Sequence, residues 1–369
     1  MPCDSATAAT HVAIAYKTHV AIAYKKSRML IYLLFLLPPL VLAWARPPIK
    51  RRITFVAVAY FVALLLFIGL RDRTGPDWTA YIFVYEDINS DMRTRTEPLF
   101  KYLNVLSSTL GFYIYGVNFV CALIFLIGIF VYANCTARPW LAIAAVTPYL
   151  CFVIGMSGIR QAAAIGVGYI ALANWSRLSI IVKLLFIAIA MGFHTSAVIL
   201  IVLVIFDDLK HLWLKLIFFG LFFAYILNSD WATDAIEIYH SRYLTQSIIS
   251  FGAAQHVALS AFPAALYFIF NKRIASVGWN TSVVAIGAIG SIVALPLTAI
   301  SSTGVDRLAL YFSYIQMWIY PALTEALKED EYVVLFGVTI IILSVFFVYF
   351  TFGLTISGYV PYHSLLVDQ

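Results

Sequence analysis

The sequence predicts an all-α fold, a polytopic transmembrane helical bundle of about 11–12 membrane segments with polar loops and one interfacial helix. Three observations predict it. The chain of 369 residues is 63% apolar and only 11% charged, against roughly 25% charge in a soluble domain. A water-soluble globule of this size needs a polar shell that this composition does not supply. The apolar residues fall in long continuous runs and do not alternate, which selects helices over a barrel, the two structures whose backbones satisfy themselves in hydrocarbon. The charges, finally, sort into alternating loops.

Taken in order, residues 10–17 read THVAIAYK and residues 18–25 repeat them letter for letter. Two copies are too few for a solenoid, and the first 28 residues lack a signal-peptide apolar region. We therefore expect 1–28 to be a leader, disordered or arising from a start placed too early, with Met29 opening the first apolar run. Residues 29–369 form a single integral membrane domain. Its apolar runs are 29–45, 53–70, 112–134, 140–155, 160–176, 179–193, 195–206, 213–228, 252–271, 280–300, 306–324 and 331–353. The stretch 179–206 is read as two segments that turn at His194, and 229–251 as an amphipathic helix along the interface.

Charge justifies the turn. With the loop holding Arg46, Lys50, Arg51 and Arg52 inside, alternation puts Arg138, Arg177, Lys183, Lys210, Lys215, Lys272, Arg273 and Lys328 inside too. That face carries a net +6 and the other a net −3; a single helix through His194 would invert everything downstream. The inner face mixes Lys and Arg equally, whereas the outer face has seven Arg and one Lys. Arginine chosen over lysine among acids suggests a site, because guanidinium is a planar fork of donors suited to phosphate or carboxylate. The net charge of +6 lies in loops with no basic, aromatic-interleaved soluble module, so nucleic acid is not expected as a partner. The four cysteines, Cys3, Cys121, Cys135 and Cys151, show no metal spacing, so neither a metal site nor a disulfide framework is expected.

Four constellations bear chemistry. GLRDRTGPDWTAY (Gly69–Tyr81) places Arg71 and Arg73 at a membrane exit, a Gly75–Pro76 turn, then Asp77 and Tyr81, with Glu97–Pro98 downstream. A solvated loop with locally paired charges has the same spacing. MSGIRQAAA (Met156–Ala164) sets Arg160 and Gln161 at the mouth of a small-residue helix. A charge there can be a snorkelling anchor, but this face needs no cation for orientation, which favours function. GFHTSA contains His194, a packing residue or a group able to exchange protons near neutral pH, with Thr195 and Ser196 as caps. GVDRLALYFSYIQMWIYP (Gly304–Pro321) places Asp306 and Arg307 at a helix start, with Tyr311 and Tyr314 on one side. These tyrosines are either belt residues or sugar-stacking rings. The tail motif SGYVPYHS adds two tyrosines and His363.

The ordered set (GLRDRTGPDWTAY, then Glu-Pro, the IRQ helix, FH with small hydroxyl residues, the Asp306–Arg307 pair before Tyr311, and a terminal Pro-Tyr) resembles the EpsG family of bacterial exopolysaccharide proteins, a branch of the Wzy-type polysaccharide polymerases. The resemblance spans roughly residues 29–369. It implies a glycosyltransferase of the bacterial inner membrane with its active site and larger loops facing the periplasm. Such an enzyme moves a growing chain from undecaprenyl diphosphate onto an incoming lipid-linked oligosaccharide, with no cofactor. Membrane lipid and a chain-length regulator are the other partners it implies. In this chain Arg160 and Arg307, then Arg71 and Arg73, are the expected diphosphate ligands, with Gln161 beside them. Tyr81, Tyr311 and Tyr314 would line the sugar path. His194 and Asp77 are the candidate general bases, with Glu97 behind them.

Other classes compete. A flippase would bind lipid phosphates through similar arginines, but no internal repeat is visible. An O-antigen ligase would use the same donor with another acceptor. A membrane acyltransferase would centre on histidine and need no exofacial arginines.

Overall fold

The computed structural model describes residues 29–45, 54–91, 96–207, 212–213, 215–217, 219–220, 252–276, 278 and 281–366. The leader 1–28, the interfacial segment 229–251, most of the 213–228 run, and Arg93, Arg95 and Arg242 lie outside the described residues.

The described chain is a helical bundle whose helices follow the apolar runs closely. Helix α1 is Met29–Ala45, and α2 is Phe55–Gly69, opened by Thr54, whose side chain accepts from the Ala57 amide. Strand β1 is Arg71–Asp72. Helices α3 (Trp78–Asp91) and α4 (Pro98–Thr109) follow. Next come α5 (Tyr113–Ala133), α6 (Pro139–Ser157), α7 (Ile159–Ala173), α8 (Ile180–Phe193) and α9 (Thr195–Phe206). Beyond 251 are α10 (Ala253–Ile269), α11 (Asn271–Ala275), α12 (Thr281–Leu297), α13 (Ser302–Ala309), α14 (Tyr314–Ala326), α15 (Glu331–Phe352) and strand β2 (His363–Ser364). Three of them, α5, α6 and the 25-residue apolar stretch Lys328–Phe352, are long and apolar enough to span a membrane by themselves.

Helix α6 is the axis. Its best apolar window is 94% buried, against 28% for the stretch containing α15, whose outer side is left for lipid. Through Thr147–Ile154 it winds as a π-helix around Pro148, a distortion that often accompanies functional sites. Helices α5 and α7 meet backbone to backbone. A Cβ on Gly166 would fall 2.5 Å from the Ile124 carbonyl oxygen, and one on Gly128 would strike Gly166. Small residues drive such close crossings where lipid removes the hydrophobic force between helices.

The turn at His194 is present. Ser179 caps α8 by accepting from Val182, and His194 leaves the helix with extended backbone. Helix α9 starts as a 3₁₀ turn over Thr195–Leu200 and runs back. Lys183 near the start of α8 pairs with Asp207 just past the end of α9, closing the hairpin at the far end. The same far end holds buried Arg138, which binds Glu325 at 3.2 Å and Glu331, joining α6, α14 and α15. Lys183, Asp207, Arg138, Glu325 and Glu331 thus lie at the end of the bundle away from the His194 turn.

Two features were not expected. The polar segment 71–101 contains two helices, and α4 buries Phe100, Asn104 and Ser107 while exposing Leu99, Tyr102, Leu106 and Leu110, the pattern of a helix lying on a bilayer surface. The tail, read as a polar segment, folds back onto the bundle. Arg71 pairs with Ser364 and Asp72 with His363 in an antiparallel ladder. The Gly75 amide donates to Gly358 O at 2.7 Å, and the Tyr362 hydroxyl donates to Phe67 O at 2.7 Å. Gly75 itself is dictated by geometry, with φ +104 and a Cβ position only 2.7 Å from Met156 O.

Candidate functional site

The turn after α3, the start of α7 and the α8–α9 junction bring three charged groups together. Arg160 lies in the first turn of α7, just after Gly158 breaks the helical path. Its Nη1 donates to Glu97 Oε2 at 2.8 Å and to Thr96 Oγ1 at 3.3 Å. The guanidinium lies over the rings of Phe100 and Tyr81, 5.5 and 5.9 Å from their centroids. Its Nε is buried with no hydrogen-bond partner among the described residues. Glu97 precedes the helix-initiating Pro98, so its side chain is fixed at the mouth of α4. Its other oxygen, Oε1, is 3.4 Å from the Thr195 amide and 3.2 Å from His194 Nδ1, an ion-pair distance that is off the line of an N–H···O bond.

Electrostatics follow from this crowding. Burial pushes the Glu97 carboxyl up, but the His194 imidazole 3.2 Å away and the charge of Arg160 outweigh it and hold it at about 2. Burial lowers the proton affinity of His194; Glu97 opposes the fall, and Arg160 and Arg307 reinforce it. Arg307 is thus within electrostatic reach of the same imidazole. Gln161, next to Arg160, donates its amide N–H to the backbone carbonyl of Arg307. That bond ties α7 to α13 and sets the two arginines at one end of the bundle, Arg307 exposed and Arg160 29% exposed.

The remaining expected residues divide. Asp77 is exposed and accepts from Ser157 Oγ at 2.8 Å, at the junction of α6 and α7. Arg73 projects from the loop with φ 44, 3.5 Å from Asp72. Arg71, in contrast, is 1% exposed and gives its donors to Ile68 O, Thr74 O and Asn118 Oδ1. Burial lowers its proton affinity to about 10, with the neighbouring Tyr81, Tyr359 and Tyr362 opposing the fall. It holds the loop and the tail ladder and offers no fork to a ligand in this structure. Tyr81 is 8% exposed beneath Arg160. Tyr311 and Tyr314 are fully buried. Tyr311 meets Ser196 Oγ at 3.2 Å, and Tyr314 donates to Val283 O and packs on Tyr132 and Tyr169. Neither ring presents a face to a sugar here, because both point into the interhelical core.

One pair was missed. His256, one turn into α10, has Nδ1 3.2 Å from Asp306 Oδ2 on α13, and Tyr149 from the π-turn of α6 stacks on its ring at 4.5 Å. In the sequence His256 stands at the start of the apolar run 252–271, which contains no acidic residue to mark a pair. Among the described residues no three His, Cys, Asp or Glu side chains converge as a metal ligand set. Cys121 and Cys151 are buried free thiols.

No curated protein and no solved structure matches the chain. The model of the EpsG family matches residues 54–364, which contain every element of the site. The apolar helices, the paired charges at one end and this match together establish that the chain is a membrane protein belonging to the EpsG family of Wzy-type, polysaccharide polymerase-like proteins.

Proposed function

We propose that the chain joins oligosaccharide repeat units carried on undecaprenyl diphosphate into polymer at the outer face of the bacterial inner membrane. The observation that carries this reading is the meeting of α7 and α13, which bear Arg160 and Arg307, tied by Gln161 beside Glu97 and His194. In the reaction an acceptor hydroxyl oxygen bonds to the anomeric carbon of the donor. The bond from that carbon to the diphosphate breaks, and its electron pair leaves on the diphosphate oxygen. Two partly exposed guanidiniums supply the fixed positive charge that such a leaving group requires. Arginine in this account takes the part of a charge clamp without a metal ion. Glu97, held ionised down to about pH 2, is a weak proton acceptor and acts as the strut that orients Arg160 and His194. The excess of cations at the opposite end supports an outward-facing site, because cationic loops stay in the cytoplasm.

The test is genetic. In the producing host, Arg160→Ala, Arg160→Lys and Arg307→Ala are expressed at matched membrane levels and polymer length is measured. Removal of one such donor is expected to lower polymer synthesis at least about 100-fold, with Lys restoring little because it lacks the fork. Normal polymer from Arg160→Ala and Arg160→Lys would make Arg160 a membrane anchor and end this reading.

A further inference from the structure

We infer that His256, oriented by Asp306, is the general base that accepts the proton of the acceptor hydroxyl. This rests on the polymerase reading above and assigns the acceptor side of that site. Glycosyl transfer needs a base opposite the leaving group, within hydrogen-bond reach of the attacking oxygen. The groups beside Arg160 suit that task poorly. Glu97 is committed to Arg160 and His194; His194, though it also faces a carboxylate, is only 12% exposed and lies in the field of Arg160 and Arg307.

The other histidine has the required arrangement. His256 Nδ1 faces the Asp306 carboxylate at 3.2 Å, with side-chain exposures of 19% and 14%. A carboxylate on one ring nitrogen fixes the tautomer and directs the lone pair of the other outward. Tyr149 backs the ring face to face, so the imidazole cannot swing. Nε2 lies on the Gly252 side, where a Cβ would sit 3.3 Å from it and 2.9 Å from Gln255 Oε1, so the glycine keeps a side chain off that nitrogen.

Position completes the argument. Asp306 and Arg307 are consecutive on α13, so their Cα atoms lie about 3.8 Å apart while their side chains leave the helix in directions roughly 100° apart. Arg307 acts on His194 and, through its carbonyl, meets Gln161; Asp306 turns to α10 and the π-turn of α6. Two adjacent positions of one helix thus serve both clusters, Arg307 the leaving-group side and Asp306 the acceptor side. The acceptor proton passes to His256 Nε2 as the new C–O bond forms and the C–O bond to the diphosphate breaks. The imidazolium then releases the proton to water.

The test uses the full-length purified protein in proteoliposomes, supplied with lipid-linked oligosaccharides extracted from host membranes that lack this chain. His256→Ala and His256→Gln are expected to lose at least about 100-fold in kcat, with KM for the lipid-linked donor within twofold of wild type. Free imidazole is expected to restore part of the His256→Ala rate, and Asp306→Asn to lose less than either. A His256→Gln enzyme within threefold of wild type, or a loss borne by KM with no imidazole rescue, overturns the assignment while the polymerase reading stands. If His256→Ala does not accumulate, His256→Gln decides by the same kcat criterion. Wild-type protein that forms no polymer from these donors overturns both.

Discussion

Replacing Glu97 by Gln removes the charge that holds Arg160 and His194 together while keeping shape. The carboxyl is only 9% exposed, so solvent screens it little. Its proton affinity falls from the ordinary value of 4.5 to about 2 on folding; at 1.36 kcal/mol per pH unit, that difference amounts to about 3 kcal/mol of stability at neutral pH. A group whose pKa is depressed by folding contributes fully above its unfolded value and loses the contribution as pH falls through the folded one. Glu97→Gln is therefore expected to melt several degrees below wild type at pH 7. The gap is expected to close in acid as pH falls from about 4.5 through about 2. Cys121 and Cys151 are fully buried, so in a Cys3→Ala, Cys135→Ala background a thiol-reactive fluorophore in detergent reports unfolding. Equal melting at pH 7, or a gap that persists unchanged below pH 2, would refute the electrostatic account of this cluster.

Three further expectations follow from the packing. Arg138→Ala leaves Glu325 and Glu331 facing each other at the far end, and breaking such a buried pair is expected to cost about 3 kcal/mol, read by the same thiol assay. Because that end lies about 30 Å from the site across the bilayer core, the polymer formed per folded molecule should not change. Gly166→Ala puts a methyl 2.5 Å from the Ile124 carbonyl oxygen and forces α5 from α7, an overpacking cost of about 1–3 kcal/mol that lowers the melting temperature. Lys183→Met removes the tie between Lys183 and Asp207 at the base of the α8–α9 hairpin; limited proteolysis of that loop should quicken relative to wild type.

Much of the fold was legible because hydrocarbon imposes one rule, a long apolar run, and ten of the twelve runs appear as helices with ends shifted by a few residues, an eleventh as helical pieces. The exception, 213–228, lies mostly outside the described residues. One run broke unexpectedly: 306–324 became α13, a 3₁₀ turn and α14. The break, Leu310–Ser313, comes one turn after Asp306 and Arg307, which lie inside α13. The turn at His194 was readable only through charge balance, since both flanking helices are equally apolar. Arg160, Glu97 and His194 were each visible as polar groups in unusual places, yet their meeting was not, because it joins positions 63 and 97 residues apart. Arg71 and Tyr314 show the converse. Residue type marked them as ligands, but only three-dimensional neighbours reveal that their polar atoms are spent on protein oxygens. His256 escaped notice because one histidine among apolar residues has no partner until α13 supplies Asp306.

The most direct measurement of the central claim is a bond-forming assay with defined components. Wild-type protein, reconstituted in vesicles with lipid-linked repeat units as the sole sugar source, is followed by gel for products of increasing length. The account predicts a ladder from wild type and none from a double Arg160→Ala, Arg307→Ala protein that still melts cooperatively. A ladder undiminished in the double variant, or movement of the lipid-linked units across the vesicle membrane with no new glycosidic bond, would contradict it.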